Sequence, residues 1–341
     1  MKRMLSGIQP SNKITLGNYL GAIKQYINYQ NEYESFIFVA DLHVITNPDI
    51  DYKKIFENKK MAVCFYQACG LDLKKTHVFY QSDIPAHTEL EHVLMCNAKI
   101  GELNRMTQFK DKSQKFAKSN GTESIPAGLF EYPVLMASDI LLYDADIVPV
   151  GADQKQHLEL TQILAERMNK KYGNLFTLPK PFIPKTGARI MDLLNPTSKM
   201  SKSATNEKGT IFLLDDIEAA KKKIMGAKTD CLNKVKFDPE NQPGISNLIT
   251  IYNAISGISI PEIEKKYENC ENYGVFKKDL AEIVAKLMAE IQSKYYDSYK
   301  NYESIIKPIL IENAKYVNKI ANAKVDFVYK KIGMRGEQEI I

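Results

Sequence analysis

The first half of the chain alternates short apolar segments with segments whose apolar residues recur every three or four positions. Continuous apolar stretches at 35–40, 76–81 and 147–150 are typical of strands buried on both faces. Between them, the apolar residues from Leu16 to Ile27 fall on one face of a helix. This alternation predicts βαβ units, and therefore an α/β fold with a doubly wound parallel sheet.

The second half contains no comparable strand pattern. Helical periodicity marks four segments, at 215–228, 244–256, 274–299 and 302–332. We therefore expect an α/β domain over 1–195, with a helical insertion at about 83–125 that interrupts the alternation. A helical domain over 196–341 should follow, with its last helix able to return to the first domain.

Composition adds mainly exclusions. The chain has 341 residues, of which 44% are hydrophobic and 26% charged, as in ordinary globular proteins. No apolar run approaches the roughly 18 residues of a membrane span, and the N-terminus lacks a secretory pattern, so we expect a cytoplasmic protein without a membrane partner. The five cysteines are scattered and predict neither disulfides nor a metal site. A formal charge of +5 gives no independent sign of nucleic-acid binding.

A loop with two lysines carries the first chemical signal. Lys199 and Lys202 stand three residues apart in the run Lys-Met-Ser-Lys-Ser, which follows Pro196. Lysine binds phosphate as a flexible point charge, so such a pair suits a polyphosphate. The alternative interpretation is a solvated turn in a lysine-rich chain.

A second signal lies near the N-terminus. Thr15 is placed to cap a helix that continues through Leu16, Gly17 and Asn18. Gly17 would let a flat ligand such as adenine lie against bare backbone, while Thr15 and Asn18 could donate hydrogen bonds. An ordinary capped helix with a glycine at a packing contact is the alternative.

The strand at 147–150 ends in the third signal. Gly151 follows it at once, and Asp153 could accept from ribose hydroxyls at the carboxyl end of a parallel strand. Asp153 could equally be a plain helix cap.

One acid stands in the mostly apolar segment 132–143. In a helix, Tyr132, Met136 and Asp139 share one face, with Pro133 allowed only near the first turn. Such a face suits a large apolar ligand with one donor and no acceptor, as in indole. Burying the carboxylate would be costly unless it were paired, so a ligand N–H is an attractive partner. Alternatively, Asp139 caps nearby backbone or faces water.

In this order, the signals resemble the bacterial-type tryptophanyl-tRNA synthetases, class I enzymes with a Rossmann catalytic domain. Two motifs of that family match, Thr-x-Gly-Asn at Thr15–Asn18 and Lys-Met-Ser-Lys-Ser at Lys199–Ser203. The resemblance covers nearly the whole chain. It includes the stretches 7–11, 101–110, 146–157, 187–191 and 243–248.

The resemblance implies a role for each matching residue. ATP contacts are implied for Gln9, Pro10, Ser11, Gly17, Asn18, Gly151, Ala152, Asp153, Ile190, Lys199, Met200, Ser201, Lys202 and Ser203. Tryptophan contacts are implied for Tyr132, Met136, Asp139 (on the indole nitrogen), Gln154 and His43. Catalysis would involve Thr15, Asn18, Lys112, Lys199, Ser201 and Lys202, with Lys112 joining the loop lysines at the pyrophosphate of ATP. No protein metal site is implied, and Mg²⁺ would be carried by the triphosphate.

The implied reaction activates L-tryptophan as tryptophanyl-adenylate and transfers it to tRNA(Trp), releasing pyrophosphate and AMP. The helical domain would bind the tRNA, and the family's homodimers would form through about 83–110. Three alternatives stay open: a tyrosine-specific relative, a small-molecule adenylyltransferase, and a non-catalytic RNA-binding paralogue.

Overall fold

The centre of the molecule is a sheet of five parallel strands in the order β3-β2-β1-β4-β5. The computed structural model describes residues 1–10, 13–46, 50–114, 116, 125–151, 154–182, 188–201 and 206–336. Its strands are β1 (Arg3–Ile8), β2 (Glu34–Val39), β3 (His77–Tyr80), β4 (Ile147–Pro149) and β5 (Lys180–Phe182). Every neighbouring pair is parallel, which confirms the predicted doubly wound α/β fold.

Helices connect the strands. The β1–β2 connection holds α1 (Leu16–Asn18), a π-helical turn (Tyr19–Ile23) and α2 (Lys24–Tyr29), and the β2–β3 connection holds α3 (Asp41–Val44) and α4 (Ile55–Ala68). Between β3 and β4 lie α5 (Ala86–Met95), α6 (Ile100–Leu103), α7 (Thr107–Ser113) and α8 (Gly128–Leu141). α9 (Lys155–Tyr172) joins β4 to β5. The strand order reverses between β1 and β4, where doubly wound sheets bind ligands.

After β5, the described residues form helices and no further strand. These are α10 (Ile217–Met225), α11 (Pro243–Ser256), α12 (Ile260–Lys266), α13 (Tyr273–Lys300), a π-helical turn (Tyr302–Ile306) and α14 (Lys307–Lys331). Two isolated antiparallel bridges, Thr15–Phe212 and Met191–Lys199, tie this half together and to α1. β5 and α12 were not predicted from the sequence.

The last helix lies against the sheet. On α14, the Asn313 amide donates to the backbone oxygens of Leu73 and Val78, each at 3.2 Å. Apolar side chains from both halves share common clusters: Val317 and Val325 pack with Phe36 and Phe79. In the described part of the chain, no helix combines the length and the apolar composition that a membrane crossing requires.

Candidate active site

A cavity of about 430 Å³ opens at the reversal of strand order. Its walls come from the carboxyl ends of β1 and β4 and from α3, α7 and α8. Eight residues singled out from the sequence line it: Gln9, His43, Lys112, Tyr132, Met136, Asp139, Gly151 and Gln154. The geometry therefore gathers the whole set assigned to tryptophan, together with three residues assigned to the nucleotide.

Helix α8 directs the face that carries Asp139 toward this cavity, as expected. Tyr132, Met136 and Asp139 all reach the lining, in keeping with their spacing. The expectation for Pro133 was wrong, because α8 begins at Gly128 and the proline lies in its second turn. The missing proline N–H therefore removes one hydrogen bond inside the helix.

Asp139 is completely buried and is held by three side chains. Its Oδ1 accepts from Gln81 Nε2 and His87 Nδ1, both at 2.7 Å, and its Oδ2 accepts from His43 Nε2 at 2.8 Å. Burial alone would raise the pKa of this carboxyl, but the bonds from His43 and His87 outweigh it and lower the pKa to about 2. The protein's own side chains therefore pair the buried carboxylate, so its burial does not require a ligand N–H, and Oδ2 keeps capacity to accept one.

The side chains that hold Asp139 are themselves fixed. Gln81, directly after β3, accepts the Leu42 N–H through Oε1 at 3.1 Å, which sets the orientation of its amide. His87 lies 2.8 Å through Nε2 from the hydroxyl of Tyr143. Burial raises the pKa of Tyr143 well above its usual range, so this hydroxyl keeps its proton and pairs with Nε2 while Nδ1 donates to the carboxylate.

Tyr132 lines the cavity from the same helix as Asp139. Its hydroxyl donates to Gln108 Oε1 at 3.1 Å and lies 3.0 Å from His157 Nε2, and burial raises its pKa to about 12. The ammonium of Lys112, which was assigned to the pyrophosphate, stands 4.9 Å from the centre of the Tyr132 ring. Lys112 thus delivers a positive charge to the rim of the cavity.

A second group of predicted residues lies outside the cavity lining and contains Thr15, Gly17, Asn18, Ile190, Lys199 and Met200. Thr15 caps α1 as predicted: its hydroxyl accepts the Asn18 N–H at 3.0 Å, and the Asn18 side chain accepts the Thr15 N–H at 3.2 Å. The Thr15 hydroxyl also donates to Asn18 Oδ1 and is fully buried. The Thr15 hydroxyl therefore uses its hydrogen bonds in the cap, whereas Asn18 is exposed and its amide can still donate to a ligand.

Gly17 is covered by side chains of the lysine loop and of the segment before it. A Cβ on it would lie 3.3 Å from the Cβ of Met200 and 3.5 Å from the Cβ of Ile190. The expected bare surface for adenine is therefore covered in this structure, and the alternative reading of Gly17 as a packing glycine is the one that the contacts support.

The lysine loop is a short antiparallel hairpin over 190–200. The Met200 N–H bonds to the Ile190 oxygen at 3.0 Å, and the Asp192 N–H bonds to the Ser198 oxygen at 2.8 Å. Met200 is buried, while Lys199 is exposed, so the hairpin anchors through its methionine and presents its first lysine.

Five predicted nucleotide contacts lie outside the described residues: Ser11, Ala152, Asp153, Lys202 and Ser203. Pro10, two residues after β1, is buried. Ser201 is half-buried, and its backbone oxygen accepts from the Thr210 hydroxyl at 3.4 Å. Among the described residues, no group of three or more His, Cys, Asp or Glu could hold a metal ion.

A five-stranded parallel sheet with its cavity at the switch point, followed by a helical half, defines a Rossmann-type α/β protein with its candidate ligand site at the carboxyl ends of the strands. The chain belongs to the class I tRNA synthetases (W and Y), whose family model matches residues 1–289.

Individual relatives are similar over their full length. The chain is 54% identical to the tryptophan–tRNA ligase of Malacoplasma penetrans over 335 residues, 98% of each chain. The crystal structure of tryptophanyl-tRNA synthetase from Mycoplasma pneumoniae superposes with a TM-score of 0.88 at 40% identity, covering 100% of both chains. The Campylobacter jejuni enzyme, complexed with ADP and tryptophan, gives 0.81 at 34% identity, covering 97% of this chain and 99% of that one.

Proposed function

We propose that this chain is an ATP-dependent tryptophan–tRNA ligase. The observation that carries the proposal is Asp139, an ionised carboxylate at the wall of a cavity that Tyr132 and Met136 also line. An acceptor that is fixed before the ligand arrives suits an aromatic side chain with one N–H. The full-length similarity to tryptophan–tRNA ligases supports the same conclusion.

The tryptophan side chain would enter the cavity with its indole N–H directed at Asp139. Oδ2 is the better acceptor, because among the described residues it receives one donor, His43, whereas Oδ1 already receives two. Tyr132 and Met136 would pack against the bicyclic ring. Gln154 and His43 would complete the contacts of the amino acid.

The nucleotide would lie between the cavity and the second group of residues. We assign its contacts to Gln9, Pro10, Ser11, Asn18, Gly151, Ala152, Asp153, Ile190 and Lys199–Ser203, whereas Gly17 packs against Met200 and Ile190. Lys112, Lys199 and Lys202 would neutralise the leaving pyrophosphate, with Thr15, Asn18 and Ser201 in supporting roles. Mg²⁺ would arrive with the triphosphate as part of the substrate.

The chemistry needs no protein nucleophile. The tryptophan carboxylate attacks the α-phosphorus of ATP and pyrophosphate leaves; a terminal ribose hydroxyl of the tRNA then takes the tryptophanyl group and AMP leaves. Positioning and charge stabilisation suffice for both steps.

The partners follow from this reaction. We assign tRNA(Trp) binding to the helical half, residues 196–341, and the chemistry to residues 1–195. A homodimer through about 83–110 would match the family's assembly. Since charged tRNA is used for translation, we place the protein in the cytoplasm.

Amino-acid-dependent ATP–pyrophosphate exchange, measured across a panel of amino acids, tests the proposal. We expect tryptophan to support exchange about 10⁴-fold better than phenylalanine, which lacks the donor, and tyrosine also to be rejected. Aminoacylation of tRNA(Trp) should follow with release of AMP. Equal exchange with tyrosine, or none with any amino acid, would overturn the assignment.

A further inference from the structure

The hairpin that presents Lys199 is held by a side chain from a different element. Asn247, on α11, is nearly completely buried. Its Oδ1 accepts the Met191 N–H at 2.8 Å, and its Nδ2 donates to the Met191 oxygen at 2.9 Å. Both polar atoms of one amide thus bond to the backbone of one hairpin residue.

The register of the hairpin explains why these two backbone groups are available. Met191 is paired with Lys199, but the bonds around this pair come from the residues on either side, Met200 to Ile190 and Asp192 to Ser198. In such a non-hydrogen-bonded pair, the N–H and C=O of Met191 point outward. The Asn247 amide takes the place that a neighbouring strand would take and satisfies both groups.

Helix α11 also contacts the helices that follow β1. Lys24 Nζ on α2 donates to the Ala254 backbone oxygen, near the end of α11, at 2.6 Å. At the other end, a Cβ on Gly244 would lie 2.1 Å from the Lys228 oxygen, and the Lys228 N–H bonds to the Leu193 oxygen at 2.8 Å. α11 is therefore fixed to α2 at one end and to the hairpin segment at the other.

We infer that Asn247 is a positioning residue for adenylate formation. It sets the distance between the Lys199 hairpin and the N-terminal helices by clamping Met191 to α11. The inference rests on the proposed function, because the lysine must act on ATP for its position to matter. Asn247 lies outside the cavity lining, so its loss should leave the tryptophan pocket intact.

Asn247→Asp is the most informative variant. It has nearly the same shape and keeps the acceptor for the Met191 N–H, but it places an oxygen against the Met191 oxygen in place of the donor. Asn247→Ser, which is shorter and leaves room for a bridging water, is the second variant should the aspartate prevent folding. Asn313→Asp on α14 is the matched control. The Asn313 amide also donates to backbone oxygens, those of Leu73 and Val78, but these residues are far from the hairpin in the sequence.

Three measurements distinguish a positioning role of Asn247 from a general loss of stability. Hydrogen exchange of the amides in 190–200 reports on the hairpin without any substrate. ATP–pyrophosphate exchange gives kcat and the KM for ATP. Tryptophan affinity can be read from the ligand's own fluorescence, because the chain contains no tryptophan.

For Asn247→Asp we expect the hairpin amides to exchange about tenfold faster and kcat/KM for ATP to fall about tenfold, because one buried hydrogen bond is lost. The affinity for tryptophan should stay within about twofold of that of the parent. Asn313→Asp should lower the melting temperature and leave all three unchanged. Unaltered hairpin exchange would overturn the inference, as would a parallel loss of tryptophan affinity. If the parent itself lacks pyrophosphate exchange, the proposed function fails, and hydrogen exchange still decides whether Asn247 holds the hairpin.

Discussion

The two ends of the candidate site are built in opposite ways. At the Asp139 end, a fully buried carboxylate is fixed by three donors, and two of these donors are fixed in turn. At the Lys199 end, an exposed lysine stands on a short hairpin that depends on a few backbone bonds and on contacts with Gly17 and Asn247.

This difference corresponds to the two tasks of the proposed reaction, recognition of the amino acid and neutralisation of the pyrophosphate. Recognition of one N–H requires an acceptor whose geometry cannot adjust to a wrong ligand, and several mutually supporting bonds provide that. Neutralising a departing pyrophosphate requires positive charge at the correct place, which exposed lysines can deliver. We therefore expect the proposed amino-acid end, whose acceptor has several supporting bonds, to tolerate the loss of one of them, and the Lys199 end to be sensitive to small displacements.

The largest expected effect comes from Asp139→Asn. Three donors meet the two oxygens of the carboxylate, so at least one of them must face the new amide nitrogen. We expect the Kd for tryptophan to rise about 100-fold or more, since bonds to a charged group contribute about 1.5–3 kcal/mol each. Ligand fluorescence measures the affinity, and chemical denaturation measures the accompanying loss of stability.

Asp144→Asn is the control for this change. Asp144 accepts from Lys324 Nζ at 2.7 Å and from the Thr177 N–H at 3.1 Å, and it is absent from the cavity lining. Its variant should lose stability and keep tryptophan affinity. If Asp139→Asn bound tryptophan as well as the parent does, the carboxylate would be a structural group and not a recognition group.

Gly17→Ala tests the sensitivity of the other end. The added methyl lies 3.3 Å from the Met200 Cβ, so the hairpin must shift by a few tenths of an ångström. We expect kcat for pyrophosphate exchange to fall about three- to tenfold, because small misplacements of catalytic groups are costly. Tryptophan affinity should not change, and the helix should gain about 0.5–1 kcal/mol from replacing glycine.

Gly226→Ala is the matched substitution, because Gly226 is exposed at the end of α10 and a Cβ there would make an ordinary contact at 3.4 Å. It should leave kcat unaltered. A higher KM for ATP with an unchanged kcat in Gly17→Ala would instead show that the nucleotide itself lies against Gly17, as the sequence first indicated.

The fold was predictable where the pattern was strong. Buried strands with continuous apolar residues stand out, as do helices longer than about ten residues. β5 has only three residues, Lys180, Pro181 and Phe182, none of them fully buried, and a proline between two such neighbours does not indicate a strand. α12 has seven residues and buries only Ile263, too little for a periodic signal.

The site was predictable only in part. Asp139 stood out because a lone acid in an apolar helix needs an explanation. Its partners come from other elements: His87 lies on α5 and Gln81 follows β3, so the sheet topology brings them together. Gln81 carried one usable signal, its position at the carboxyl end of a parallel strand; nothing in the local sequence marks His87. The covering of Gly17 likewise depends on a hairpin more than 170 positions away.

Tyr143→Phe gives the smallest expected effect and examines the redundancy of the Asp139 end. It removes the hydroxyl that is hydrogen-bonded to His87 Nε2 and leaves that buried nitrogen unpaired, which costs about 1–2 kcal/mol of folding free energy. Gln81 and His43 still hold the carboxylate, so we expect tryptophan affinity to weaken only about two- to threefold.

Tyr80→Phe is the control variant. It breaks the buried 2.7 Å contact between the Tyr80 and Tyr302 hydroxyls and should lower stability by a similar amount without changing tryptophan affinity. A loss of affinity in Tyr143→Phe as large as that in Asp139→Asn would mean that one remote bond controls the acceptor, and the contrast between a redundant end and a sensitive end would be wrong.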